Sequence, residues 1–97
     1  EVLFSPIFFN EGIRYYKAGD LRNSILSFNK SLALSSSDIS SLLVLGQAYL
    51  EDSKPALAVK TFQAAVKLYP NDPLVHFLLG AAYEENKQLK EALLEYK

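Results

Sequence analysis

Two residue types recur in this chain at a constant interval of 34 residues, and this interval constrains the fold more than any other feature of the sequence. The recurring residues are the glycines Gly12, Gly46 and Gly80, and the tyrosines Tyr15, Tyr49 and Tyr83. The same interval relates the aromatic residues Phe28, Phe62 and Tyr96 and the small residues Ser24, Ala58 and Ala92. A unit of this length cannot bury its own apolar face, so the register predicts an array of stacked units.

Apolar residues recur every three to four positions within each period, which is typical of amphipathic helices. Residues suited to helix ends separate these stretches: Gly19 and Asp20 form a stop and an N-cap, Asp38 and Asp72 are further N-caps, and Pro55 suits a first helical turn. The sequence therefore predicts six helices. They lie near residues 6–18, 21–34, 39–52, 55–68, 73–86 and 89 to the end.

The recurring glycines fall inside predicted helices, where glycine costs about 0.5–1 kcal/mol relative to alanine. We expect a neighbouring helix to approach the backbone closely at each of them. The recurring small residues then lie on the other side of that contact, and the recurring aromatics fill the space between the helices.

Composition excludes several classes of function. Ten basic and eleven acidic residues give a net charge of −1, so no clustered basic face for nucleic acid is expected. The absence of cysteine excludes disulfides, and no apolar run approaches the roughly 18 residues that span a bilayer. Because the chain does not begin with methionine, we expect it to begin inside a longer gene product or after processing, and its compartment stays open.

Little in the sequence indicates catalysis, a metal site or a cofactor. His76 is the only histidine, and we interpret it as a structural, partly packed side chain rather than a base. One histidine without cysteine does not match the ligand spacing of a zinc site. The glutamates of the third unit, Glu84, Glu85, Glu91 and Glu95, are interpreted as solvated helix faces.

Aligned on the 34-residue register, the units resemble tetratricopeptide repeats (TPRs). The second unit carries the residues of that pattern at Leu42, Leu45, Gly46, Tyr49, Ala58, Phe62, Ala65 and Pro70. The first unit departs from it with Glu11 in the leucine position, and the third with His76 in the large-residue position. The resemblance implies an all-α, right-handed superhelical array (an α-α solenoid). It would form one domain over residues 1–97, with repeats at 5–38, 39–72 and, incompletely, 73–97.

In this family the first helix of each repeat lines a concave surface that grips peptides. The resemblance therefore implies a binding groove with an apolar lining, rimmed by Lys17, Glu51 and Glu84. The predicted groove residues are Phe9, Ile13, Tyr16, Leu43, Val44, Gln47, Leu50, Leu74, Phe77 and Leu78.

One well-known use of the groove is not expected in this chain. Family members that clamp the C-terminal carboxylate of chaperones carry Lys, Asn, Asn, Lys and Arg at five groove positions. The residues at those positions here are Phe9, Ile13, Val44, Leu74 and Leu78, and none of them can donate a side-chain hydrogen bond to a carboxylate.

The predicted function is a non-catalytic scaffold that binds a protein or peptide partner with apolar anchors. Other parts of the same protein could instead cover the groove, and the apolar segment at residues 2–4 could fold against the first helices or enter a neighbour's groove. One alternative is an accessory domain of a larger enzyme. The other is a self-assembling module that associates through the uncapped last helix, whose apolar face holds Leu89, Ala92, Leu93 and Tyr96.

Overall fold

A computed structural model describes residues 5–96, which form six α-helices joined by short turns. The helices are α1 (Ser5–Lys17), α2 (Leu21–Leu34), α3 (Ile39–Glu51), α4 (Pro55–Leu68), α5 (Pro73–Glu85) and α6 (Leu89–Tyr96). The predicted all-α array is confirmed, and each helix begins and ends within about one residue of its predicted bounds. The apolar segment at residues 2–4 lies outside the described residues, so its two roles stay predictions.

Each helix packs against its neighbours in sequence, and α3 also touches α5. The result is an elongated body of 39 × 26 × 16 Å, in which α1–α2, α3–α4 and α5–α6 form three helix pairs. The contact between α3 and α5 places the first helices of successive pairs side by side. No helix formed by residues 5–96 combines the length and the apolar character needed to cross a bilayer.

The first helix of each pair ends in the same turn, with one residue in the left-handed conformation. That residue has a φ of 80° at Gly19, 57° at Ser53 and 63° at Lys87. The amide that follows it donates to the carbonyl oxygen of the recurring tyrosine, as Asp20 does to Tyr15 at 2.9 Å. This is the hydrogen bond of a Schellman motif, and it ends α1, α3 and α5 one residue earlier than the sequence predicts.

Aspartate side chains cap three of the helices as predicted. Asp20, Asp38 and Asp72 accept hydrogen bonds from backbone amides in the first turns of α2, α3 and α5. Pro55 and Pro73 lie in the first turns of α4 and α5, where a missing N–H leaves no hydrogen bond unmade. Helix positions along the chain are therefore set largely by local side-chain chemistry.

The recurring glycines make room for the recurring aromatic rings. A Cβ atom on Gly46 would lie 2.5 Å from the ring of Phe62, which is fully buried. The same relation holds between Gly12 and Phe28 and between Gly80 and Tyr96. We expected the neighbouring helix to approach the backbone at these glycines, but the nearest atoms are those of its aromatic side chain. The glycine and the ring thus form one contact within each helix pair.

The three helix pairs are joined by two junctions of different chemistry. Between the second and third pairs the core is apolar, and Ala65 and Val75 are buried there. The equivalent residues between the first and second pairs are Ser31 and Ser41, which are joined by a hydrogen bond of 3.0 Å. The Ser41 hydroxyl also lies 2.6 Å from the carboxylate of Asp38, so this junction is held by a buried polar network.

The first pair differs from the family pattern at Glu11, and the carboxylate of this residue has a hydrogen-bond partner. Glu11 occupies the position held by leucine in the other two pairs, at Leu45 and Leu79. Its carboxylate accepts a 2.8 Å hydrogen bond from the hydroxyl of Ser27, which is buried. A polar residue is tolerated there because its partner lies on the paired helix.

We predict that Gly46→Ala destabilises the domain and that Gly80→Ala is close to neutral. The added methyl on residue 46 meets the enclosed ring of Phe62, and such overpacking costs about 1–3 kcal/mol. The methyl group added at position 80 meets the ring of Tyr96, which is 42% exposed and can move outward. Alanine also favours the helix by about 0.5–1 kcal/mol relative to glycine, which offsets the remaining cost. Urea unfolding of both variants measures the difference, and equal costs would contradict the ring-to-glycine explanation.

Candidate functional site

A cleft of about 370 Å³ lies between the two adjacent first helices, and we call it the α3–α5 cleft. Its lining is Gln47, Leu50 and Glu51 from α3, with Phe77, Leu78, Ala81, Glu84 and Glu85 from α5. The structure therefore brings together four of the ten predicted groove residues, all of them on the second and third helix pairs. The cleft is apolar along one part and acidic along the other.

The remaining predicted groove residues have other surroundings. Leu43 is half-buried and packs against both apolar core clusters, so it contributes to stability whatever else it does. The ring of Phe9 packs on Phe28 at 5.7 Å between centroids. Leu74 is 55% exposed, one turn before the cleft residues of α5. The other three, Ile13, Tyr16 and Val44, are half-buried.

The first helix pair reaches the cleft through Tyr16, whose hydroxyl donates a hydrogen bond to Glu51. Tyr96 of α6 does the same to Glu84 from the other side. Burial and the bond to Glu51 raise the pKa of Tyr16 to about 12, and the bond to Glu84 followed by burial raises the pKa of Tyr96 to about 12. A tyrosine hydroxyl is protonated at neutral pH even at its ordinary pKa of about 10, so both hydroxyls can donate to the two carboxylates there.

Sequence reasoning missed two members of this site. The sequence predicts Tyr96 as an aromatic between helices and as part of the apolar face of the last helix, but its ring packs on Phe77 at 5.8 Å between centroids. Glu85 was interpreted as part of a solvated face. The 34-residue register does place Glu85 at the position of Glu51, which the sequence predicts on the rim of the groove. The first pair carries Lys17 at this position, so the charge changes sign after that pair.

His76 forms a pair with Glu95 on the other side of α5. Its Nδ1 lies 2.6 Å from a carboxylate oxygen of Glu95, and its Nε2 contacts the carbonyl oxygen of Pro70. The bond to Pro70, followed by that to Glu95, raises the pKa of His76 above its ordinary value. This confirms a partly packed, structural histidine, and the interpretation of Glu95 as simply solvated was wrong.

The hydrogen bonds of His76 decide whether its ring can act as a general base in this arrangement. Both ring nitrogens of His76 are already hydrogen-bonded, so neither is free to act as a base in this arrangement. Residues 5–96 contain no cluster of three or more His, Asp or Glu side chains that could hold a metal ion.

A second apolar surface lies on α6, the last helix that the structure describes. We define the α6 face as Leu89, Leu93 and Leu94, which are 63%, 65% and 68% exposed. Leu93 occupies the register position of Val59, which is only 6% exposed because α5 covers it. In the described chain no further helix covers α6 in the same way.

We predict that the contribution of His76 to stability falls as pH rises. Because its folded-state pKa lies above the ordinary value of about 6.5, the stabilisation is complete below that pH and is lost as pH rises through the folded-state pKa. Urea unfolding of the wild type and His76→Gln between about pH 5.5 and 8.5 tests this, since the two should converge at high pH. A difference that does not change with pH would contradict it.

Comparison with solved structures places the fold among known repeat domains. The first TPR of Spaghetti (RPAP3), solved bound to the HSP90 peptide SRMEEVD, superposes with a TM-score of 0.91 at 22% identity, over 99% of this chain and 76% of that one. The N-terminal domain of stress-induced protein-1 from C. elegans gives 0.87 at 20% identity, over 97% and 80%. No curated protein sequence matches the chain.

MamA from Desulfovibrio magneticus RS-1 is similar at 25% identity, with a TM-score of 0.86 over 94% of this chain. The chain spans about half the length of that structure, 51%. The profile of the tetratricopeptide repeat matches residues 9–73 and again residues 43–97. These two matches together cover both helix junctions and the α3–α5 cleft. The chain belongs to the tetratricopeptide repeat family.

Proposed function

We propose that this domain is a protein-interaction module that binds a partner segment with apolar anchors in the α3–α5 cleft. The observation that carries the proposal is the exposed phenyl ring of Phe77, 58% accessible, beside the half-buried side chains of Leu50 and Leu78. These three side chains could receive one apolar anchor of a partner, and burial of one large apolar side chain contributes about 1.5–3 kcal/mol.

The ligand we propose differs from the one held by the Spaghetti domain. The HSP90 peptide in that structure, SRMEEVD, contains three acidic residues. In this chain, the five positions that carry the clamp in chaperone-binding family members are apolar. The cleft itself carries Glu51, Glu84 and Glu85, which would repel an acidic tail. We therefore propose an apolar anchor, and not a terminal carboxylate, as the group that this domain recognises.

We predict that Phe77→Ala weakens binding about tenfold or more, because it removes apolar area from the site of contact. Ligands would be selected from a random peptide library, and their affinities measured by fluorescence polarisation. Leu26→Ala is the matched control, since Leu26 is 53% exposed on α2 and does not line the cleft. Thermal unfolding of both variants shows whether Phe77→Ala also destabilises the domain by removing the contact between Phe77 and Tyr96.

Nuclear magnetic resonance of the domain with bound peptide shows where the peptide binds. Amide shifts should concentrate on the residues of α3 and α5 that line the cleft. Shifts confined to α2, α4 and α6, or equal losses of affinity in the two variants, would show that binding takes place elsewhere.

A second candidate function is self-association through the α6 face. The exposure of its three leucines favours this, and Leu93 lies at the register position of Val59, which another helix covers. Burying such a surface would stabilise dimers, either by face-to-face contact or by exchange of helices.

We predict that the domain sediments as concentration-dependent dimers and that Leu93→Lys shifts it toward monomer. Ile7→Lys is the control, because Ile7 is 58% exposed on α1 at the opposite end of the array. Sedimentation velocity over a range of concentrations measures this. A wild-type monomer throughout that range would contradict self-association.

A further inference from the structure

Three carboxylates converge on one end of the α3–α5 cleft from both of its walls. Glu51 comes from α3, whereas Glu84 and Glu85 come from α5. The apolar part of the same cleft, with Phe77 and Leu78, adjoins them. A ligand that fills the cleft must therefore meet apolar and acidic surface together.

No cation within the described chain compensates these carboxylates. Among residues 5–96, none of the three glutamates forms an ion pair with a basic side chain. In sequence the nearest basic residues are Lys54, which pairs with Asp52, and Lys87, in the turn after α5. Lys17, at the end of α1, shares the register position of Glu51 and Glu85. All three lysines are exposed, and none of them pairs with a glutamate of the cleft.

The tyrosine hydroxyls position two of the carboxylates without neutralising them. Tyr16 donates to Glu51 and Tyr96 donates to Glu84, and a carboxylate with one such bond still has acceptor sites left on its two oxygens. Glu85 has no hydrogen-bond partner among the residues that the structure describes. The acidic end of the cleft is thus held in place and open to a donor.

An apolar ligand alone would be a poor match for this arrangement. Covering the carboxylates would remove them from water, which is costly unless a cation pairs with them. An arginine or lysine beside the apolar anchor would offset that cost, and the planar arginine fork suits a carboxylate best. We infer that the partner is a basic-apolar segment, with an Arg or Lys next to its anchor, which reaches Glu84 and Glu85; this inference rests on the proposed function of the cleft.

The test uses three synthetic peptides that share one pair of leucines a helical turn apart and differ only in the two residues beside them. These residues are Arg, Gln or Glu, and binding is measured by fluorescence polarisation at low and high salt. The Arg peptide should bind about tenfold more tightly than the Gln peptide, and the Glu peptide most weakly. The differences should shrink at high salt because exposed charges are screened.

Variants of the domain test whether the carboxylates of Glu84 and Glu85, and not only the apolar part of the cleft, contribute to binding of the Arg peptide. The double variant Glu84→Gln and Glu85→Gln should reduce the affinity for the Arg peptide to that for the Gln peptide, and leave the Gln peptide unchanged. The side-chain amide introduced at position 84 can still accept the hydrogen bond from Tyr96. Glu91→Gln is the matched control, because Glu91 is exposed on α6 and does not line the cleft.

The outcomes distinguish this inference from the function on which it rests. If the three peptides bound with equal affinity and Phe77→Ala abolished the binding of all three, the inference of a basic-apolar partner would be overturned. The cleft would remain a binding site. If none of the peptides bound the wild-type domain, both proposals would be overturned. If the Glu84/Glu85 double variant and Glu91→Gln reduced the affinity for the Arg peptide equally, the inference would also be overturned. The Arg peptide would then respond to the overall charge of the domain and not to the carboxylates of the cleft.

Discussion

The contact between a glycine and an aromatic ring inside each helix pair is the interaction on which the rest of the structure depends. Phe62 is fully buried against Gly46, and no larger residue at that position would leave room for the ring. Because the contact recurs in every pair, it gives the three pairs a common internal geometry. Stacking of identical pairs is what turns a short helical hairpin into an array with a continuous core.

This regular stacking leaves the α3–α5 cleft, the binding surface that we propose, outside the contacts of the repeated residues. The ring-to-glycine contact takes up the side of α3 and α5 that faces each pair's second helix, so the cleft is lined by residues that vary between repeats. In the third pair the tyrosine of that contact, Tyr96, also donates to Glu84. A residue of the packing register thus also sets the position of a charged group in the cleft.

Helix bounds were predictable from the sequence because capping acts over three or four residues. The aspartates and prolines at the helix starts function as the sequence indicates. The left-handed residues Ser53 and Lys87 were not predictable, since only Gly19 at that register position has the residue type that marks such a turn. The pairing of Glu95 with His76 was missed for a different reason, as its partners lie 19 residues apart on separate helices.

The sequence by itself determined the repeat, the helices, their caps and the family, because each of these depends on residue type at a fixed spacing along the chain. Only the tertiary structure decided which of the predicted groove residues share one cleft, since that depends on how far α3 stands from α5. It also decided that Leu43 packs into the core while Phe77 stays exposed, although the two occupy equivalent register positions. Burial at an equivalent position depends on which helices lie next to it, and among the described helices that differs between the second and third pairs.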